Sequence, residues 1–167
     1  PLMLAKGLNP ACFDVALCRP ESFSKFTNGL TFPVLDLECQ ESDVFTRKLD
    51  RGSPLYDFST LCRYVEADLA LIDSEKPDVI VGDFRLSLSA SARLRSIPYI
   101  AICDAYWSPE RVLTPPLPVM GFTRYAPIEL SQFLFRRIAP FAFRLHAQPL
   151  EKLRAKFGLP SLGNDLR

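Results

Sequence analysis

The sequence has one histidine and almost no net charge, +1 at pH 7. One histidine and scattered acids do not readily supply a metal's ligand set, so no metal site is expected. Near-neutrality removes any bulk electrostatic reason to expect nucleic acid as a partner. Nothing resembles a signal peptide and no apolar run is long enough to span a bilayer, so the expected location is cytoplasmic. The five cysteines, at 12, 18, 39, 62 and 103, form no CxxC pair, which argues against a zinc or redox motif. Cys18 and Cys103 end apolar runs and are expected to be small buried hydrophobes in a reducing compartment. The dinucleotide fingerprint GxGxxG, the GxxxxGK phosphate loop, the GxSxG elbow and HExxH are all missing.

What is present is the composition of a globular domain: 167 residues, 48% hydrophobic and 23% charged, enough to bury a core. Fifteen prolines stand out, gathering in loops such as that around Pro115, Pro116 and Pro118. Residues 1–8 read as an amphipathic helix whose start lies further upstream, with Pro1 suited to a first turn. Residues 13–18 and 31–37 read as strands, and the polar stretch 40–52 as a mobile surface loop. Ser53-Pro54 reads as an N-cap followed by proline at the first helical position. Phe58, Leu61, Cys62, Val65, Leu69 and Ile72 then recur at helical spacing. Residues 78–83 form an apolar run too short for a helix, suited to a parallel strand covered on both faces. A small-residue helix over 86–96 and a strand over 99–103 complete a strand–helix–strand unit between 77 and 104. Helical stretches near 128–146 and 149–157 follow. The reading is one α/β domain, with an α/β core over 1–121 and a helical extension over 122–167.

In open parallel sheets, ligands bind outside the carboxyl ends of strands, where Asp83 and Asp104 are placed. A carboxylate there can orient a histidine or accept from a hydroxyl, or it can simply cap the next helix or turn. His146 lies on a helix and reads as a surface or packing residue. Region 122–157 holds Arg124, Arg136, Arg137, Arg144, Lys152, Arg154 and Lys156 against Glu129 and Glu151, interleaved with Phe133, Phe135, Phe141 and Phe143. Three readings stay open: helices packing aromatics inward with solvated bases, a peripheral membrane-surface face, or an apolar acceptor channel.

Lys76-Pro77-Asp78-Val79-Ile80-Val81-Gly82-Asp83, the small-residue helix and Ser96-Ile97-Pro98-Tyr99-Ile100 together resemble the "KPDvvvxD…A…gIPy" core of family 1 glycosyltransferases. Leu153 to Pro160 is similar to that family's "LRxxxGLP" stretch, and Pro1 to Leu8 to the helix after its first strand. The motifs are degenerate; their order and spacing carry the resemblance.

The resemblance implies the acceptor-binding, N-terminal half of a GT-B fold: a Rossmann-like parallel sheet flanked by helices, its first strand absent from this sequence. It implies transfer from a UDP- or TDP-sugar, bound by a separate C-terminal domain, to a hydroxyl of a small lipophilic acceptor. Asp83 would hold the imidazole of a general-base histidine, and Phe84, Asp104, Tyr106 and Trp107 would line the acceptor pocket. The matching histidine would precede Pro1 and the donor domain would follow Arg167, so this polypeptide alone is expected to be inactive. Two other classes stay open: a non-catalytic subunit docking a separate donor-binding chain, and a nucleotide-sugar epimerase of the same architecture. Because the first strand of such a sheet is central, one of three arrangements is expected: an upstream segment, an exchanged strand, or a gap between strands 13–18 and 78–82.

Overall fold

The core grows from one long helix. In the computed structural model, which describes residues 1–103, 125 and 127–163, the apolar stripe beginning at Phe58 becomes α3 (Phe58–Glu75). Its N-cap is Asp57, not Ser53: the Asp57 carboxylate accepts from the Thr60 amide at 2.7 Å. Lys76 ends it in the left-handed conformation at φ 48°, and Pro77 prevents resumption.

Ahead of it lie α1 (Leu2–Gly7), β1 (Leu17–Arg19), a short 3-10 helix (Glu21–Phe26), β2 (Val34–Asp36) and α2 (Ser42–Asp50). The helix expected at the N-terminus is present, while both strands are shorter than the apolar runs suggested. Residues 42–50 are helical rather than loop. Asp43 accepts from Arg47 one turn on at 2.6 Å, and Thr46 donates to the Ser42 carbonyl. After α3 come β3 (Ile80–Asp83), α4 (Leu88–Leu94), β4 (Tyr99–Ile102) and α5 (Ile128–Lys156). The two helical stretches expected after 128 are a single helix running through Pro140 and Pro149.

β1 pairs in parallel with β2, and β3 in parallel with β4. The architecture is therefore mixed α/β with small parallel sheets and flanking helices, compatible with a Rossmann-like fragment. Among the described residues no ladder joins β1 to β3, so the expected gap is present. The strands are not covered on both faces as expected: within β3 only Gly82 is buried, and Val81 and its register partner Ile100 are exposed. Gly82 is closely packed, so a larger residue there would make side chains shift. A Cβ there would sit 2.5 Å from Leu88 Cδ1 and 3.0 Å from the Tyr99 ring.

Apolar burial concentrates between helices instead. Leu61, Cys62 and Val65 of α3 pack with Ala90 of α4 and with Leu150 and Leu153 of α5. Arg154 is buried rather than solvated, donating to the Ser89 carbonyl at 2.9 Å and the Pro160 carbonyl at 2.7 Å. It thereby ties α4 to the segment that follows α5.

Candidate functional site

The gap between the sheets is a cleft of about 670 Å³ walled by β1 on one side and β3 on the other. Asp83 closes β3 and lies on the wall with its side chain exposed. No ion pair to it forms among the described residues. Its charge is felt by a neighbour: burial first, then the Asp68 and Asp83 carboxylates, push the Tyr99 phenol above its ordinary value.

Phe84 follows in the left-handed conformation at φ 49°, a backbone state costly for a bulky residue. Its ring meets Phe45 of α2 edge-on, with centroids 6.2 Å apart. That turn aims Arg85 inward. Arg85 Nε donates to Asp68 of α3 at 2.7 Å, and Nη1 donates to the Glu38 carbonyl at 2.8 Å. The guanidinium also lies over the Tyr64 ring, 4.4 Å from its centroid. Asp68 accepts as well from Ser91 of α4 at 2.9 Å, so one buried carboxylate ties α3, α4 and the turn after Asp83 together. Arg85 Nη2 is left buried with no hydrogen-bond partner.

The rest of the lining is mostly apolar and aromatic, including Phe23, Phe26, Tyr56 and Phe84. Two thiols share the wall, Cys18 and Cys39. Cys18 is exposed, not buried as expected, as is Cys103. The protein packed about the cleft nonetheless raises the pKa of both wall thiols by desolvation, so neither is poised as a thiolate nucleophile. Among the described residues no group of three His, Cys, Asp or Glu side chains converges as a metal site.

Of the residues expected to matter, Asp83 and Phe84 are brought to this cleft. Asp104, Tyr106 and Trp107 lie outside the described residues. His146 Nδ1 sits 2.8 Å from the Ala142 carbonyl, one turn back on its own helix, a packing arrangement. Sequence reasoning missed Asp68 and Arg85. The signal was available: Asp68 stands seven residues after Leu61 and three after Val65, inside the apolar stripe of α3, where a carboxylate requires a partner.

A parallel α/β architecture with a carboxylate at a strand's carboxyl end, facing an apolar cleft, is compatible with ligand binding and specifies no particular chemistry. Comparison with known proteins adds the chemistry of relatives. The chain is 41% identical over 166 residues to an inactive PGL/p-HBAD biosynthesis glycosyltransferase of Mycobacterium bovis (strain BCG / Pasteur 1173P2), covering 99% of this chain and 45% of that protein. It is equally similar, at 41%, to a PGL/p-HBAD biosynthesis glycosyltransferase of Mycobacterium tuberculosis (strain ATCC 25177 / H37Ra), covering 99% of this chain and 39% of the relative. A PGL/p-HBAD biosynthesis rhamnosyltransferase of Mycobacterium bovis (strain BCG / Pasteur 1173P2) is 40% identical, with 99% of this chain and 37% of the relative covered. The chain thus spans less than half the length of these curated relatives. No family model and no solved structure matches it.

Proposed function

We propose that this chain is the acceptor-binding part of an inverting, GT-B-type glycosyltransferase that moves a sugar from a nucleotide sugar to a hydroxyl of a small lipophilic acceptor. The observation that carries the reading is the exposed Asp83 carboxylate at the end of β3, on the wall of an apolar, aromatic cleft. The relatives' names supply the reaction class.

In this reading Asp83 accepts a hydrogen bond from the imidazole of a general-base histidine contributed from outside this sequence. It fixes the tautomer and stabilises the imidazolium formed as the acceptor hydroxyl loses its proton. The freed oxygen attacks the anomeric carbon, the nucleotide diphosphate leaves with the bonding pair, and configuration inverts. Phe84 beside Asp83 gives the acceptor an apolar wall at the carboxyl end of β3, and Asp104, Tyr106 and Trp107 complete it, while the slot between β1 and β3 is where the first strand of such a fold would lie. The UDP- or TDP-sugar is held by a second domain, so these residues act on the acceptor alone.

The test uses the full-length protein with UDP- and TDP-sugars and panels of phenolic, lipid and macrolide acceptors. Transfer is expected, and Asp83→Asn should lower turnover by roughly a hundredfold or more while the circular dichroism spectrum stays unchanged. Equal turnover in the variant removes the dyad role. No transfer or hydrolysis of any nucleotide sugar by a folded protein counts against the enzyme reading. One relative being named inactive favours a second reading, a non-catalytic binder. Acceptor binding seen by calorimetry, without turnover, would establish it.

A further inference from the structure

Among the described residues, α5 carries an apolar face that is left exposed. Its inward side is occupied by Ser131, Ala139, Ala147, Leu150 and Leu153. Leu130, Leu134, Ile138, Phe141 and Leu145 are all exposed, Phe141 at 64% and Ile138 at 56%. Their spacing of four, four, three and four residues places them within an arc of about 80° on an α-helix, along roughly 23 Å of its length. Arg137 and Arg144 border that arc on one side, Arg137 stacking on the exposed Phe133 ring 5.2 Å from its centroid. Glu129, the only acid between 128 and 146, projects well away from the stripe.

Apolar stripe, aromatic rings and a border of arginines with long aliphatic stems form the profile of a helix that lies in a membrane interface. No helix among the described residues is long and apolar enough to cross a membrane, so the face suits lying on a bilayer rather than spanning it. A second copy of this chain fits poorly. Antiparallel self-pairing centred on the stripe would bring Arg137 beside its own copy at the twofold axis, with no acid within a helical turn of either. We propose that the N-terminal half of α5 docks this protein on an anionic lipid surface, with Leu130, Leu134, Ile138, Phe141 and Leu145 sunk among the acyl chains and Arg137 and Arg144 on the headgroups. Such docking would bring the cleft to where a lipophilic acceptor is stored, but it does not depend on which reaction the cleft performs.

The test is co-flotation of the full-length protein with vesicles of phosphatidylglycerol and phosphatidylcholine in equal parts, beside vesicles of phosphatidylcholine alone, at low and physiological salt. Binding should be confined largely to the anionic vesicles and weaken with salt. Combined Arg137→Glu and Arg144→Glu should lower the partition coefficient by at least about thirtyfold. Combined Ile138→Ser and Phe141→Ser should lower it more than about tenfold, with an unchanged circular dichroism spectrum checking that the fold is spared. Phe141→Trp should shift its emission to the blue on the anionic vesicles. The proposal falls if the protein ignores anionic vesicles at low salt. It falls equally if both double variants bind as the parent does, or if Phe141→Ser instead dissolves a dimer that accounts for the covered stripe. No nucleotide sugar enters the measurement, so its failure and that of the transfer assay are separately readable.

Discussion

At Asp57 a single side chain decides where the principal core helix begins. Its carboxylate accepts from the Thr60 amide at 2.7 Å and from the Ser59 hydroxyl at 2.8 Å, and these bonds, the amide first, hold its pKa at about 2 against an ordinary 3.8. The folded-state value is the lower one, so the cap's stabilisation is fully present above about pH 4 and is lost as pH falls through about 2. Because the group is largely solvated, its worth is that of an exposed cap. Asp57→Ala should cost about 1 kcal/mol at neutral pH. Urea denaturation of parent and variant should show that difference at pH 7 and find it shrinking as pH falls from 4 toward 2. A constant difference across that range would refute the linkage. Sequence reasoning chose Ser53-Pro54 as the start because both residue types suit one. The geometry favours Asp57, whose carboxylate lies immediately ahead of the first apolar position, Phe58, and three residues before Thr60.

Among elements, α3, α4 and the turn after β3 are joined by the pair Asp68–Arg85, whose side chains are only 1% and 9% exposed. A buried pair of this kind adds little over an apolar substitute, but breaking it strands a charge. Asp68→Ala should therefore cost about 3–5 kcal/mol, and Asp68→Leu with Arg85→Met should recover much of it. Chemical denaturation measures both, and a single-variant loss below about 1 kcal/mol would show that Arg85 finds another partner. The same elements mark what the sequence made legible. The strand–helix–strand unit of 77–104 could be read because periodicity changes sharply at Lys76-Pro77 and again at Ile97-Pro98. α2 was missed: no residue between Ser42 and Asp50 is buried, and its apolar face is only Val44, Phe45 and Leu49, short among charged neighbours. So was the continuity of α5 through Pro149. Proline removes one backbone bond locally, while Ala147, Leu150 and Leu153 on either side of it are buried by tertiary packing. Asp83 was visible as a strand-end acid. The wall around it was not, because Cys39, Tyr56 and Arg85 come from separate segments that only the fold brings together.

For the whole molecule the open question is what fills the space between the two sheets, and backbone amides can answer it. In β1 the Leu17 amide donates to the Pro33 carbonyl at 3.0 Å, and in β3 the Ile80 amide donates to the Pro98 carbonyl at 2.9 Å. Parallel ladders use alternate residues of a strand for one neighbour. The amides of Cys18 and Val81 therefore point the other way, toward the cleft. In this chain alone, Leu17 and Ile80 should be protected from hydrogen exchange, and Cys18 and Val81 should exchange faster by roughly a hundredfold or more. Two-dimensional NMR in deuterated water resolves all four. If the pair facing the cleft is as slow as the pair in the ladders, the sheets are not separate and the cleft is not open. In the full-length protein the same two amides separate two kinds of occupant. A strand laid between β1 and β3 would pair with both and slow them together, leaving an acceptor only the end of the cleft at Asp83. An acceptor filling an otherwise open cleft would slow them only when it is added.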